Sequence, residues 1–135
     1  MIRQLDDRTL VSGQIAPHEV AGLAQQGVTM LVNNRPDGEE ADQPLAGEIE
    51  QAAVAGGISY PFVPIIRGIG PADIEEMQTA RREAGDGKML AFCRSGTRSA
   101  LACALPQREE GASADEVVRF LNQAGFDHGP IAHLL

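Results

Sequence analysis

The segment CRSGTRS, residues 93–99, is the part of the sequence best equipped for chemistry. Cys93 follows the apolar run KMLAF, and four residues separate it from Arg98. Those four residues are Arg94, Ser95, Gly96 and Thr97. Because they are small, flexible or polar, they can curl so that backbone N–H groups point inward, next to the N-terminus of a following helix. The spacing therefore predicts an oxyanion-binding loop that favours Cys93 as a thiolate nucleophile.

Two side chains after the loop are expected to act on the same anion. Arg98 can make two parallel hydrogen bonds to an oxyanion, a task that lysine performs poorly. Ser99 can donate a hydrogen bond to the Cys93 thiolate and make it a better leaving group. The alternative reading of Cys93 is a buried cysteine at a strand end, but strand, cysteine, glycine-bearing loop, arginine and helix occur in the order that nucleophilic chemistry needs. Cys103 lies in the apolar stretch ALACAL, which indicates core packing.

Four more charged residues follow predicted strands and are expected near the same edge of the sheet: Arg35, Asp37, Arg67 and Asp73. Cleavage of a phosphate ester needs a general acid, and Asp73 and Asp37 are the candidates. An equally good reading of Asp73 is an aspartate that stabilises the first turn of a helix. Arg35 and Arg67 either extend a cationic pocket or form salt bridges elsewhere. Sulfur transfer would need no such acid.

The composition narrows the classes of partner. The chain has 135 residues and a formal net charge of −8, so a basic surface for nucleic acid or anionic membrane is not expected. The arginines beside Cys93 instead suggest a small anionic substrate, either a phosphate ester or a thiosulfate or persulfide. The length predicts a single domain over residues 1–135, and the sequence leaves the oligomeric state open.

No cofactor, metal site or targeting segment is predicted. The three histidines lack metal-ligand spacing, and the glycines of GIGP lack the strand–turn–helix context of a dinucleotide motif. The start MIRQLDD has no apolar core of a signal peptide, and no apolar run is long enough to span a bilayer. A cytoplasmic protein with free thiols is therefore expected.

Strand and helix signals alternate along the chain, which predicts an α/β fold with a mostly parallel central sheet of four to five strands and helices on both faces. Pro61 and Pro64 remove two hydrogen-bond donors and move their strand to an edge or a bend. Ser113 and Glu116 form a capping box. The predicted strands are 9–14, 28–34, 58–66 and 88–93, and the predicted helices are 16–27, 45–57, 70–87, 98–107 and 113–126.

Two family resemblances follow from these segments. CRSGTRS resembles the active loop of single-domain rhodaneses, whose cysteine carries a persulfide. The whole chain, through VSGQIAPHEVAGLAQQGVTMLVNNRPDGEE, GISYPFVPI and the cysteine loop, resembles the phosphatase-like domain of beta-lactamase-hydrolase-like proteins. That family is related to dual-specificity phosphatases, and some members are labelled sulfur transferases. The resemblance implies a cysteine-phosphatase-like fold of the dual-specificity type, with Cys93 as nucleophile, Arg98 as oxyanion-binding arginine and Ser99 as the hydroxyl after it.

The loop departs from the phosphatase pattern in length. Cysteine-dependent phosphatases usually have five residues between cysteine and arginine, whereas Cys93 and Arg98 are separated by four. A tighter ring leaves less room for a tetrahedral phosphate and suits a single sulfur atom. Three functions stay open: a hydrolase of phosphate monoesters, favoured by the chain-wide resemblance; a sulfurtransferase, favoured by the loop length; and a module that binds oxyanions without turnover.

Overall fold

The computed structural model describes residues 2–135 and has one four-stranded sheet with six α-helices. The strands are β1 (Ile2–Asp6), β2 (Thr9–Ser12), β3 (Val28–Asn33) and β4 (Lys88–Phe92). The α-helices are α1 (Val20–Gln25), α2 (Ala46–Ala55), α3 (Pro71–Ala84), α4 (Thr97–Ala104), α5 (Pro106–Glu109) and α6 (Ala114–Gln123). Short 3-10 helices cover Pro17–Glu19 and Gly129–Leu134.

The sheet has the strand order β1-β2-β4-β3 and is mostly parallel, as the alternating pattern predicts. β4 pairs in parallel with β2 on one side and with β3 on the other, whereas β1 pairs antiparallel with β2. In this register Phe92 lies beside both Ser12 and Asn33. The carboxyl ends of three strands therefore meet at one edge, directly before Cys93, where ligands bind in parallel α/β sheets.

Helices cover both faces of the sheet because alternate side chains of β4 point to opposite sides. Met89 and Ala91 pack in a core with α3, α4 and α6, whereas Leu90 and Phe92 pack in a second core with α1 and α2. The two cores on opposite faces of the sheet match the predicted helical layers. Across residues 2–135, no helix combines the length and the apolar character that crossing a membrane requires.

The predicted strand 58–66 differs most from the observed structure. It is an extended edge segment that runs parallel to β3 without forming a continuous strand. It has two isolated bridges to β3, Met30 to Ser59 and Asn33 to Phe62, and backbone hydrogen bonds link Thr29, Leu31 and Asn33 to it. Pro61 and Pro64 explain this, because neither can donate to a strand ladder. The segment still carries the chain along the sheet edge to Ile65, which lies beside the cysteine loop.

Several element ends also shift. The predicted helix 98–107 is two helices, since Pro106 cannot donate its backbone hydrogen bond and starts α5. β1 was not expected, because its polar, largely exposed residues give no apolar signal. The capping box of α6 is confirmed: Ser113 Oγ accepts from the Glu116 N–H at 3.1 Å, and Glu116 Oε1 accepts from the Ser113 N–H at 3.1 Å.

Candidate active site

The cysteine loop closes tightly around the Cys93 thiol. The N–H of Gly96 donates to Cys93 Sγ at 3.1 Å, and α4 begins at the next residue. Gly96 has a φ of +96°, a left-handed conformation that glycine adopts without strain. A Cβ on Gly13 would lie 3.0 Å from the carbonyl oxygen of Arg94, so the loop also packs closely on the chain after β2. Cys93 is 1% exposed, and the amide hydrogen bond holds its sulfur inside the ring.

Arg98 lies at the mouth of the loop and already has protein partners. Its Nη1 donates to the carbonyl oxygens of Asn34 at 3.3 Å and Ile65 at 3.2 Å. The same nitrogen lies 3.1 Å from Glu39 Oε2, and Nη2 donates to Glu39 Oε1 at 3.3 Å. The guanidinium is therefore fixed between the ends of two neighbouring backbone segments and one carboxylate.

Three arginines and two glutamates form one charged cluster beside the cysteine loop, which we call the Arg–Glu cluster: Arg35, Arg94, Arg98, Glu39 and Glu40. Arg35 is 3% exposed and donates to Glu39 Oε1 and Glu40 Oε1, each at 2.9 Å. The exposed Arg94 lies 2.9 Å from the same Glu40 oxygen. Arg35 is thus a fully paired buried cation, with a further bond to Gln14 Oε1 at 2.9 Å.

Ser99 has a different partner from the predicted one. Its hydroxyl is fully buried and donates to Asn34 Oδ1 at 2.8 Å, so its single proton does not go to Cys93 Sγ. The Asn34 amide in turn donates to the Val63 carbonyl at 3.0 Å. Since Asn34 follows β3 and Ser99 lies in α4, this pair ties the helix to the sheet edge. A role of Ser99 toward the Cys93 thiol stays a prediction.

The candidate acids are both acceptors at helix starts. Asp73 Oδ2 accepts from the Gly70 N–H at 2.9 Å and caps α3, which matches the structural reading of this residue. Asp37 Oδ1 accepts from the Ala46 N–H at 2.7 Å at the start of α2. Arg67 lies exposed in the loop before α3. The catalytic role of Asp73 or Asp37 stays a prediction, and the same holds for a pocket role of Arg67.

Both cysteines are buried, but their surroundings differ: Cys93 accepts a hydrogen bond from the Gly96 N–H, whereas Cys103 lies among the apolar side chains of the core. Cys103 is buried in α4, and burial raises the pKa of its thiol to about 12, far above neutral pH. We expect an alkylating reagent at mildly alkaline pH to label Cys93 first and to leave Cys103 unlabelled until denaturant is added. Peptide mass spectrometry after labelling checks this order. Labelling of Cys103 in the folded protein at the rate of Cys93 would contradict it.

Three residues at the site were not expected from the sequence: Asn34, Glu39 and Glu40. The available signal was position, because Asn34 ends the apolar run VTMLVNN at the carboxyl end of a strand. The two glutamates lie in RPDGEEADQP, a segment rich in turn-forming residues that has no strand or helix pattern. Their ion pairs with Arg98 and Arg94 join residues that are far apart in sequence, so no local sequence pattern predicts these pairs.

The fold and the loop together define a class. A parallel sheet with helices on both faces, a central strand that ends in a cysteine, and an amide loop that leads to an arginine and a helix are the features of a cysteine-phosphatase-like α/β domain. Comparison with known proteins agrees. The family model described as "Beta-lactamase hydrolase-like protein, phosphatase-like domain" matches residues 1–110. The chain belongs to this family.

Individual relatives support the same assignment. A beta-lactamase hydrolase-like protein of Xylella fastidiosa strain Temecula1 is 38% identical over 130 residues, which cover 95% of this chain and 30% of the relative. The chain thus spans under a third of the length of the curated relatives that it matches. A crystal structure of a candidate phosphatase from Neisseria meningitidis Z2491 is 30% identical, with a TM-score of 0.78 over 98% of this chain and 94% of that one. The active form of Tk-PTP shares the fold at 20% identity, with a TM-score of 0.70 over 92% of this chain and 84% of that one.

Proposed function

We propose that the chain is a sulfurtransferase built on the phosphatase-like fold, which carries a sulfane sulfur as a persulfide on Cys93. The observation that carries this proposal is the tight loop: the Gly96 N–H reaches Cys93 Sγ at 3.1 Å, and the residue is 1% exposed. Only four residues separate Cys93 from Arg98, and a loop this short has fewer amides to surround a phosphate, so it favours a donor that delivers one sulfur atom.

The reaction balances without a metal, an oxidant or a general acid. The Cys93 thiolate attacks the outer sulfur of a persulfide donor RSSH, the donor S–S bond breaks, and its electron pair leaves with RS⁻. Cys93 then holds the S–SH group. An acceptor thiolate attacks that outer sulfur, takes it as a new persulfide and releases the Cys93 thiolate. The loop amides and the start of α4 stabilise the negative charge on sulfur at each stage.

Phosphate-ester cleavage needs a general acid, and the residues around Arg98 supply one poorly. The segment after Ile65, IRGIGPA, holds no acidic side chain before Asp73, and Asp73 caps a helix. Glu39 is the carboxylate beside Arg98, and although burial raises its pKa, hydrogen bonds from Arg35 and Arg98 outweigh burial and hold that pKa below its usual value. An ionised Glu39 accepts protons poorly at neutral pH and has none to donate to a leaving oxygen.

Hydrolysis of phosphate monoesters is the second candidate. Membership of a phosphatase-like family favours it, as does the candidate phosphatase from Neisseria meningitidis, which is similar over nearly its whole length. In this case Cys93 would attack phosphorus, Arg98 would turn from Glu39 to the phosphoryl oxygens, and water would release phosphate from a thiophosphate intermediate.

A single comparison separates the two candidates. Reduced protein is offered a phosphate monoester and, in parallel, an alkyl persulfide with an acceptor thiol, and Cys93→Ser is assayed beside it as a control. We expect Cys93-dependent formation of the new persulfide and little phosphate release. Cys93-dependent phosphate release without sulfur transfer would replace the proposal by the second candidate. Oxyanion binding with no product from either donor would leave a binding module.

Substitution of Asp73 further tests whether the reaction is sulfur transfer or phosphate-ester cleavage. In Asp73→Asn the amide oxygen can still accept from Gly70, so the start of α3 should survive. We expect sulfur transfer to stay within about twofold of the starting protein, because this reaction uses no acid there. A general acid in ester cleavage contributes about 10²-fold or more. Loss of sulfur transfer on that scale in a folded variant would contradict the proposed mechanism, and circular dichroism serves as the folding control.

A further inference from the structure

The Arg–Glu cluster contains more negative charge than an anion-binding site needs. Its three guanidinium groups carry three positive charges, and the Glu39 and Glu40 carboxylates cancel two of them. Each carboxylate bridges two arginines: Glu39 joins Arg35 to Arg98, and Glu40 joins Arg35 to Arg94. The glutamates thus occupy guanidinium donors that an incoming oxyanion would otherwise use.

The segment that carries these glutamates is held in place by its own hydrogen bonds. Gly38 has a φ of +81°, which turns the chain just before Glu39. Gln43 closes the segment, since its side chain donates to the Pro36 carbonyl at 2.9 Å and accepts from the Glu40 N–H at 3.3 Å. The carboxylates are therefore positioned by a hydrogen-bonded turn.

Electrostatics keeps Glu39 charged. Burial raises its pKa, but the hydrogen bonds from Arg35 and Arg98 lower it more, so the carboxylate is ionised at neutral pH. Arg35, at 3% exposure, in turn needs a paired anion, because a buried charge without a partner is costly. Glu39 therefore neutralises part of the arginines' positive charge throughout the neutral pH range.

We propose that Glu39 and Glu40 are specificity-determining residues that select against doubly charged anions. Sulfate, thiosulfate and phosphate monoesters carry two negative charges at the group that must meet the arginines, and here they meet a cluster with a net charge of one. A persulfide carries at most one negative charge at its reacting sulfur and is admitted. That the admitted donor is a persulfide rests on the proposed sulfur transfer. The weak binding of doubly charged anions follows from the charges of the cluster alone.

Inorganic sulfate tests this inference, because it binds without reacting. Its affinity for the reduced protein is measured by calorimetry in the starting chain, in Glu40→Gln and in the double variant Glu39→Gln/Glu40→Gln. Removing one carboxylate should tighten sulfate binding at least about fivefold, and removing both at least about tenfold, by the Coulomb energy of the freed charges. Glu110→Gln is the matched control, since Glu110 pairs with Arg81 at 2.7 Å on another part of the surface. It should leave sulfate binding unchanged.

The sulfate measurements decide the question even if the double variant does not fold. The double variant removes both carboxylate partners of Arg35, so circular dichroism checks its fold. Glu40→Gln leaves Glu39 on Arg35 and decides the question alone if the double variant is unfolded. Sulfate affinity that is unchanged or weaker in folded Glu40→Gln would overturn the inference. Because sulfate binding needs no persulfide, a failure of sulfur transfer and a failure of this inference are read in separate assays.

Discussion

Replacing Cys93 with serine is expected to abolish sulfur transfer, by at least about 10³-fold, since the nucleophile is lost. A serine oxygen cannot carry a sulfane sulfur as a persulfide, and its hydroxyl is far harder to ionise than a thiol. The Gly96 N–H, 3.1 Å from sulfur in the present structure, can still donate to the smaller oxygen, so the loop should keep its shape. Turnover of an alkyl persulfide with an acceptor thiol measures the effect.

Cys103→Ala is the matched control for that substitution. It removes the second free thiol, which is buried in α4, and should leave transfer close to the starting rate at a modest cost in stability. If Cys93→Ser kept substantial transfer and Cys103→Ala lost it, the assignment of the nucleophile would be wrong.

The second large effect is on stability. Asn34→Ala removes the amide that accepts from Ser99 at 2.8 Å and donates to the Val63 carbonyl at 3.0 Å. Both partners would be left buried without a hydrogen bond, at about 1–3 kcal/mol each, so we expect the free energy of unfolding to fall by about 2–4 kcal/mol. Urea denaturation followed by circular dichroism measures this change.

Asn122→Ala is the comparison for Asn34→Ala. Asn122 lies exposed in α6, and its substitution should change the free energy of unfolding by no more than about 0.5 kcal/mol. Equal effects of the two substitutions would show that the pairing of Asn34 with Ser99 does not secure α4 to the sheet edge. Sulfur transfer by Asn34→Ala is measured below its unfolding transition, which separates a loosened loop from an unfolded chain.

The sheet, its helical layers and the cysteine loop were predictable because their signals are local. An apolar run that ends in Cys93, followed by Gly96 and then α4, places the thiol at a strand end without knowledge of distant contacts. Pro61 and Pro64 likewise predict an edge segment, and the structure shows that this segment pairs with β3 through isolated bridges and not as a continuous strand. β1 gave no such signal, since it is an edge strand with little apolar surface to bury.

The partners of the site side chains were not predictable, because they depend on contacts between distant segments. Ser99 was assigned to the thiol by its closeness in sequence, yet its hydroxyl meets Asn34 across the sheet edge. The sequence predicts that Arg98 binds an oxyanion but not that Glu39 and two carbonyl groups already contact its guanidinium. A charge pattern shows which residues can pair, and the fold decides which of them do.

The most direct test of the sulfurtransferase account is the mass of the Cys93 peptide after the reduced protein has met an alkyl persulfide and excess donor has been removed. The account predicts one added sulfur atom on Cys93, none on Cys103, and loss of that sulfur when an acceptor thiol is supplied. A Cys93 peptide that stays unmodified, while the protein releases phosphate from a monoester, would contradict it.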